Sequence, residues 1–258
     1  MKFDSHLHTY PFSQDSRQSI EELISALGQQ SLGGILTEHL DFDYPLDANI
    51  VLFNPEEYFE KYLPLRSERL LLGVEIGLQE SCRDQNTQVT KDHPWDFVLG
   101  SVHLLHGEDL YGPTYYKDRP KNEVYQDYLH ALVAETTELD DFDSLGHIDY
   151  ICRYNSYQDP NLHYGDFPDL WDQLFKVLIY KEKALELNTR RLTQEGATDS
   201  LFTLLKRYRE LGGRYLTIGS DAHMPHSVGN QLDLAYHMAE KANLTPVYFK
   251  ERKIYYVK

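Results

Sequence analysis

The feature that most constrains the fold is a repeated unit in which a short apolar stretch is followed by a helical one. Seven such units follow one another, and no Ser/Gly-rich linker or internal repeat interrupts them. Strands that alternate with helices pair in parallel, and right-handed crossovers would close them into a ring. We therefore predict an α/β fold, a distorted, TIM-like (β/α)7 barrel forming a single domain over residues 1–258, with a doubly wound open sheet as the alternative. The predicted strands are Met1–Ser5, Gly33–Thr37, Leu70–Ile76, Phe97–Val102, Ser144–Ile148, Ala184–Asn188 and Tyr215–Ser220.

Capping residues mark the start of two helices. Ser19 and Glu22 have the spacing of a capping box, and apolar residues, Ile24 among them, follow at helical spacing. Asn54 before Pro55 is typical of an N-cap followed by the first helical turn. Further helices are predicted at residues 122–138, 167–183, 200–211 and 230–242, with extended or hairpin structure at 247–257.

Composition narrows the class of partner. The formal charge of −16 and the pI of about 5.1 disfavour nucleic acid and anionic membranes as partners. No apolar run approaches the roughly 18 residues that a membrane span needs, and the first residues have no signal-peptide pattern. Cys82 and Cys152 are too few to predict a disulfide framework. We expect a cytoplasmic protein that acts on a small molecule, and the sequence does not indicate an oligomeric state.

Metal-ligating residue types stand at the ends of the predicted strands. In a parallel barrel these ends meet at one face, where such barrels place their active sites. Glu75 lies in an otherwise apolar strand, where an unpaired carboxylate would cost several kcal/mol. Imidazole and carboxylate together suit zinc, iron or manganese. The residues in these positions are His6, His8, His39, Glu75, His103, His147, Asp221 and His223, with Asn188 at the remaining strand end.

Each of these residues also has an ordinary explanation when it is taken alone. The pair His6 and His8 could be exposed, Glu75 could pair with a core arginine, and Asp221 with His223 could cap the following helix. Their coincidence at the same structural position of different strands favours a shared metal site.

Six short motifs resemble those of the polymerase-and-histidinol-phosphatase (PHP) superfamily, in the family's order and across nearly the whole chain. The segments around Phe97–His103 and His147–Arg153 are similar to those of the stand-alone histidinol-phosphate phosphatases. The resemblance implies a distorted (β/α)7 barrel with a trinuclear metal centre. The motifs are Asp4–Thr9, Thr37–His39, Gly73–Ile76, Gly100–His103, Gly146–Asp149 and Gly219–His223.

The resemblance also implies which residues hold each of the two or three divalent ions (Zn, Mn or Fe). The implied sets are His6, His8, Glu75 and Asp221 for the first ion, Glu75, His103 and His147 for the second, and His39 and His223 for the third. The third set would be completed from the loop after the first strand. Many relatives have a histidine there, but residues 11–17 contain none, and Asp15 is our candidate.

A hydroxide that bridges two metal ions is the expected nucleophile, because metal binding lowers the pKa of water to about 7. Arg17 and Arg153 closely follow metal-ligand segments and are candidates to bind phosphate through paired hydrogen bonds, with surface ion pairs as the alternative. His226 is a candidate to protonate the leaving oxygen or to contact phosphate. Asn188 is a candidate to contact substrate.

The branch resemblance implies an enzyme of histidine biosynthesis that hydrolyses L-histidinol phosphate to L-histidinol and phosphate. Two alternatives stay open. One is another phosphoesterase of the superfamily, a nuclease or a protein-tyrosine phosphatase, and the other is a non-catalytic, regulatory metal-binding module. Tyr115 and Tyr116 are predicted to pack in the core, with contact to a cationic leaving group as their alternative.

Overall fold

Seven parallel strands form the centre of the fold and lie side by side in chain order, and an eighth strand pairs in parallel with the seventh before the chain turns back in a hairpin. The structure, a computed structural model, describes residues 1–47 and 50–257. The strands are β1 (Phe3–Leu7), β2 (Gly33–Leu40), β3 (Leu70–Gly77), β4 (Phe97–Ser101), β5 (Leu104–Leu105), β6 (Glu108–Asp109), β7 (Ser144–Leu145), β8 (Ala184–Asn188), β9 (Tyr215–Gly219), β10 (Thr245–Lys250) and β11 (Lys253–Tyr256). The sheet order is β1-β2-β3-β4-β7-β8-β9-β10-β11, and β5 and β6 form a separate two-stranded sheet.

The first and seventh parallel strands, β1 and β9, are joined just beyond the end of β9. The backbone N–H of Asp221 donates to the carbonyl of His6 at 2.9 Å, and the N–H of His8 donates to the carbonyl of Ala222 at 3.1 Å. Leu7 and Ala222 form a parallel bridge. These contacts bring the two strands together as a distorted barrel does, so the predicted parallel α/β architecture is confirmed.

Helices follow most of the strands and cover the outside of the sheet. The capping box of Ser19 and Glu22 is present at the start of α1, and Asn54 caps α2. Of the apolar residues at helical spacing, Ile20, Leu23 and Leu27 are buried, and Ile24 is 41% exposed. The helices are α1 (Ile20–Gln30), α2 (Pro55–Tyr62), α3 (Arg83–Asp92), α4 (Lys121–Glu138), α5 (Pro168–Tyr180), α6 (Ala197–Glu210) and α7 (Leu232–Lys241).

The last two strands, β10 and β11, form an antiparallel hairpin that packs on the beginnings of the barrel strands. Tyr248 stacks on Phe3 with ring centroids 3.9 Å apart, and Phe249 stacks on Phe97 at 5.3 Å. The prediction of extended or hairpin structure at residues 247–257 is therefore confirmed. The hairpin lies at the end of the barrel opposite the carboxyl ends of its strands. Within the described residues, no helix is long and apolar enough to cross a membrane.

Candidate metal centre

The carboxyl ends of the parallel strands bring the predicted ligand residues together. His6 belongs to β1, His39 to β2 and Glu75 to β3, while His8 follows β1 directly. His103 comes after β4, His147 after β7, and Asp221 and His223 after β9. Most of these side chains are buried, because the strands that carry them run through the core. Side chains far apart in the chain therefore share one small volume at this rim.

Glu75 lies at the centre of this volume, and one of its oxygens faces three imidazole rings. Oε2 lies 2.9 Å from His39 Nδ1, 3.3 Å from His6 Nε2 and 3.6 Å from His8 Nε2. The side chain of Glu75 is fully buried. A carboxylate in this position is arranged to share a cation with several imidazoles.

The other oxygen of Glu75 faces a second pair of rings. Oε1 lies 2.9 Å from His147 Nε2 and 3.4 Å from His103 Nε2, and it accepts a hydrogen bond from Ser101 Oγ at 2.7 Å. The two Nε2 atoms of His103 and His147 are 3.3 Å apart. Glu75 thus stands between two groups of ligand atoms, which is the geometry of a bridging carboxylate.

Asp221, from the end of the neighbouring strand β9, completes the first group. Its Oδ1 lies 3.5 Å from His8 Nε2 and 3.8 Å from His6 Nε2. Its backbone has a φ of 55°, a left-handed conformation that turns the chain sharply after β9. The chain bends here so that the carboxylate faces the rings of β1.

Asp15, His39 and His223 form a third group nearer to solvent. Asp15 Oδ2 lies 3.0 Å from His223 Nε2 and 3.5 Å from His39 Nε2, and the two Nε2 atoms are 3.3 Å apart. The Asp15 side chain is 40% exposed. The loop after β1 therefore brings a carboxylate to the position where the resemblance implied a third ligand.

Several atoms aimed into this volume have no hydrogen-bond partner among the described residues. They are buried, and a buried polar atom without a partner costs about 1–3 kcal/mol. These atoms would be satisfied by cations, and the mixture of imidazole and carboxylate suits zinc, manganese or iron. The atoms are His6 Nε2, His8 Nε2, His39 Nδ1, Asp41 Oδ2 and Glu75 Oε2.

Three polar residues form hydrogen bonds with the Nδ1 atoms of ligand histidines, on the side of each ring away from Nε2. None of the three was predicted from the sequence. Glu186 accepts from His6 Nδ1 at 2.8 Å, and Asp41 accepts from His103 Nδ1 at 2.8 Å.

The third such residue, Ser13, lies 3.2 Å from His8 Nδ1. Its hydroxyl donates to Glu38, so it accepts from that ring. Hydrogen bonds on Nδ1 leave Nε2 as the bare ligand atom, as in many metal sites. Of the three residues, only Glu186 could have been recognised in the sequence, because it is a charged residue within an apolar strand, two positions before Asn188.

The pKa values of the rim histidines shift in different directions from ring to ring. Burial alone would lower the pKa of His6, but the carboxylates of Glu75 and Glu186 outweigh it and raise that pKa well above its usual range. Burial lowers the pKa of His8, and the neighbouring rings of His39 and His223 lower it further. The carboxylates of the rim are thus concentrated enough to hold positive charge within it.

Arg153 is the cation closest to the cluster. Its side chain is 5% exposed, and Nη1 donates to Asp221 Oδ2 at 2.6 Å. Its Nε and Nη2 are buried without a partner among the described residues. Arg190, which the sequence reasoning missed, lies 3.6 Å from Asp221 Oδ1 and is 43% exposed. Two guanidinium groups therefore flank the same carboxylate.

The other predicted substrate residues lie at different distances from the cluster. Arg17 is exposed, but its backbone N–H donates to the carbonyl of His223 at 2.9 Å. Asn188 is buried, donates to Glu186 Oε2 and accepts from the N–H of Arg190 at 3.1 Å.

His226 is exposed on the short 3₁₀ turn Pro225–Ser227, outside the cluster of ligand atoms. The roles of all of these residues stay predictions.

Similarity to known proteins agrees with this geometry. A family model of the PHP domain matches residues 4–190. A probable histidinol-phosphatase of Clostridium acetobutylicum is 44% identical over 256 residues, covering 99% of this chain and 100% of that protein. A histidinol-phosphatase of Lactococcus lactis is 31% identical over 232 residues, covering 86% of this chain and 84% of that protein.

The fold also matches a solved structure of this kind. The crystal structure of a histidinol phosphate phosphatase from Lactococcus lactis, complexed with zinc, L-histidinol and phosphate, superposes with a TM-score of 0.90. The two sequences are 28% identical, and the match covers 98% of each chain. The chain therefore belongs to the PHP family, in the branch of the histidinol-phosphatases.

Proposed function

We propose that this chain is a metal-dependent phosphomonoesterase that hydrolyses L-histidinol phosphate to L-histidinol and phosphate, a step of histidine biosynthesis. The observation that carries the proposal is the convergence of nine ligand-type side chains on one rim, beside an arginine with free N–H groups. Cations and a guanidinium group together suit a phosphate ester. The substrate is suggested by relatives of nearly equal length that are named for this activity.

The nine side chains fit three divalent ions of the zinc, manganese or iron type. Glu75 would bridge the first and second ions, because its two oxygens face separate groups of rings. Bound there, the ions would activate water and neutralise charge on the phosphoryl oxygens. The proposed ligands are His6, His8, Glu75 and Asp221 for the first ion, Glu75, His103 and His147 for the second, and Asp15, His39 and His223 for the third.

The cationic side chains of the rim would bind the phosphate group. Arg153 would use Nε and Nη2, which have no partner among the described residues, while Nη1 remains on Asp221. Arg17 would approach from the loop after β1. Asn188 would orient the loop that carries Arg190, since it already holds the N–H of that residue.

His226 would protonate the leaving oxygen from the turn that follows His223. Its side chain is exposed and therefore free to reach a substrate in the mouth of the site.

We also propose that residues 1–258 form one domain and that the enzyme is cytoplasmic. Both buried cysteines are free thiols, which agrees with a reducing compartment.

Steady-state kinetics on metal-analysed protein tests the proposal. We expect kcat/KM for histidinol phosphate to exceed that for glucose 6-phosphate, AMP and phosphotyrosine by more than about a hundredfold. Arg153→Lys keeps the charge but loses the fork of donors, so its kcat/KM should fall while its metal content stays that of the wild type.

Equal turnover of all these esters would contradict the substrate assignment. Release of nucleotides from single-stranded DNA at a comparable rate would favour a nuclease. Metal-loaded protein that is inert to every ester would favour a binding module.

A further inference from the structure

The seam where β1 meets the segment after β9 is held by two buried side chains that the proposed hydrolysis does not use. The two strands meet at the bridge between Leu7 and Ala222, beyond the last residue of β9. Elsewhere in the barrel, residues 34–40 of β2 pair continuously with residues 70–76 of β3. The seam therefore has less backbone pairing than β2 and β3 have, and the proposed metal ligand Asp221 lies within it.

The first of these side chains, Asp4, holds the residue before Asp221. Its Oδ1 accepts from the backbone N–H of Ser220 at 2.8 Å. Its Oδ2 accepts from the hydroxyl of Ser220 at 2.6 Å and from the N–H of Gly229 at 2.9 Å. Asp4 is fully buried, where a carboxylate is costly unless other groups satisfy it, and these three donors all come from the segment after β9. The carboxylate therefore fixes that segment on β1.

The second side chain, Gln18, holds the residue after Asp221. Its Nε2 donates to the carbonyl of Ala222 at 2.9 Å and to the carbonyl of His8 at 2.8 Å. An amide nitrogen has two N–H donors, so both are used here. Gln18 is fully buried, and its backbone carbonyl accepts from the N–H of Tyr10 at 2.9 Å. One amide thus joins the two sides of the seam.

Asp221 itself has a backbone conformation that needs such support. Its φ of 55° lies in the left-handed region, which residues other than glycine occupy sparsely. A conformation of this kind persists where the surrounding contacts determine it. The N–H of Asp221 donates to the carbonyl of His6 at 2.9 Å, and both of its neighbours in the chain are held by Asp4 and Gln18.

We propose that Asp4 and Gln18 are positioning residues of the metal centre, which hold Asp221 in its left-handed turn so that its Oδ1 faces the first ion. Neither side chain would ligate an ion or contact the substrate, and both act through the residues next to Asp221. Without either of them, the turn would relax toward an ordinary backbone conformation, and the carboxylate would move away from the rings of His6 and His8. This inference rests on the metal centre of the proposed function.

Competition for zinc tests the two residues in the full-length, zinc-loaded protein. Asp4→Asn keeps the size of the side chain and replaces one accepting oxygen by an amide group that cannot accept. Gln18→Met keeps the length of the side chain and removes both donors. We expect each variant to raise the Kd of one zinc site about tenfold, as outer residues that orient ligands do. Transfer of zinc from the protein to a chelating dye would measure it.

The visible absorption of protein loaded with Co²⁺ separates positioning from stability. The bands report the number and geometry of the ligands around the ion. They should change in both variants, because the carboxylate of Asp221 no longer faces the ion in the same orientation. A role in stability alone would lower the Tm and leave the bands of the folded protein as in the wild type, and this result would overturn the proposal.

The variants should fold, because the bonds that they lose are not the only ones at these atoms. In Gln18→Met, the carbonyl of Ala222 keeps the N–H of His8, and the carbonyl of His8 keeps the hydroxyl of Ser16. Ser220→Ala is a milder change beside Asp4, since it removes the hydroxyl and keeps the N–H. Its zinc Kd should rise about threefold, which keeps the prediction testable if Asp4→Asn is unstable.

Asp233→Asn and Gln29→Met are the matched controls, since they make the same chemical changes at exposed positions of α7 and α1. Their zinc Kd values and Co²⁺ spectra should equal those of the wild type.

If Asp4→Asn and Gln18→Met bind zinc and absorb as the wild type does, the positioning role is wrong even though the wild type hydrolyses histidinol phosphate. If the wild type binds neither zinc nor cobalt, the proposed function fails and the inference falls with it.

Discussion

Hydrogen bonds on the outer side of the rim imidazoles decide which nitrogen of each ring faces the centre. The bond from His6 Nδ1 to Glu186 is 2.8 Å long, and both side chains are buried. Glu186 also accepts from the backbone N–H of His147 at 2.6 Å through its other oxygen. One carboxylate therefore orients a proposed ligand of the first ion and the backbone of a proposed ligand of the second.

Replacing Glu186 tests this orienting role. We expect Glu186→Gln to lower metal affinity about 10- to 100-fold, because outer partners of ligating histidines have effects of this size. Titration of metal into metal-free protein, read by calorimetry, would measure the change. Glu182→Gln removes an exposed carboxylate shortly before the same strand and should bind metal like the wild type. Equal affinities in all three proteins would mean that the hydrogen bond to His6 has no part in metal binding.

The sequence allowed the metal-ligand residues, which form the inner part of the site, to be predicted. It did not allow the prediction of the outer residues, which form hydrogen bonds with the ligand rings. Inner residues such as His39 and Glu75 follow from their place near the ends of parallel strands, which must meet at one rim. Ser13 and Asp41 act through bonds to ring nitrogens contributed by other parts of the chain. No spacing within a motif encodes such a bond. Arg190 was missed for the same reason, since its proximity to Asp221 depends on how two loops fold over the rim.

At the level of elements, the C-terminal hairpin closes the end of the barrel opposite the metal centre. Phe249 is buried with Phe97, and the turn of the hairpin is tied to the strand starts. The N–H of Arg252 donates to the carbonyl of Asp96 at 2.9 Å, and its guanidinium donates to Asp143 at 2.5 Å. The hairpin thus contributes to the core at the beginnings of the barrel strands.

A truncation in the hairpin should therefore affect stability and leave metal binding unchanged. We expect Phe249→Ala to lower the free energy of unfolding by about 3–5 kcal/mol, the usual range for a buried phenylalanine. Chemical denaturation of the metal-loaded protein would measure it. Tyr256→Ala, at an exposed position of the same hairpin, should change stability by no more than about 0.5 kcal/mol. A loss of bound metal in natively folded Phe249→Ala would show that the two ends of the barrel are coupled.

Strands were easier to predict than the helices between them. Runs such as Leu70–Gly77 are apolar except for Glu75, because both faces of a parallel sheet are covered. Helix α3 (Arg83–Asp92) was not predicted, since its buried residues are Asn86, Val89 and Thr90, and only one of these is apolar. β7 is only Ser144–Leu145, shorter than the predicted strand at 144–148. Closure of the ring through Leu7 and Ala222 lies beyond the strand ends, where no local pattern encodes it.

At the scale of the whole molecule, the proposed ligands connect the beginning of the chain with the segment that follows β9. They extend from His6 in β1 to His223 after β9, and Glu75 stands between them in β3. Ions held by this set would bind the folded chain and not the unfolded one. Metal binding should therefore contribute to the stability of the entire barrel and not only to activity.

Removing the ions should consequently lower the melting temperature. One site at a free metal concentration about 100 times its Kd stabilises a protein by about 2.7 kcal/mol, which corresponds to about 5–10 °C for a chain of this size. We expect a chelator to lower the Tm by at least this amount and added zinc to restore it, as measured by scanning calorimetry. The difference should shrink as the pH falls from about 8 to about 6, because protons compete with metal for the imidazoles.

Glu75→Gln supplies the comparison for this experiment. It removes the carboxylate that faces both groups of rings, so its Tm should respond to the chelator much less than that of the wild type. A chelator could also act on ions bound at the acidic surface, but such binding would shift both proteins equally. A Tm that is the same with and without chelator, at either pH, would mean that these side chains do not hold ions together. The proposed hydrolysis would then lose its chemical basis, whatever the similarity of the chain to its relatives.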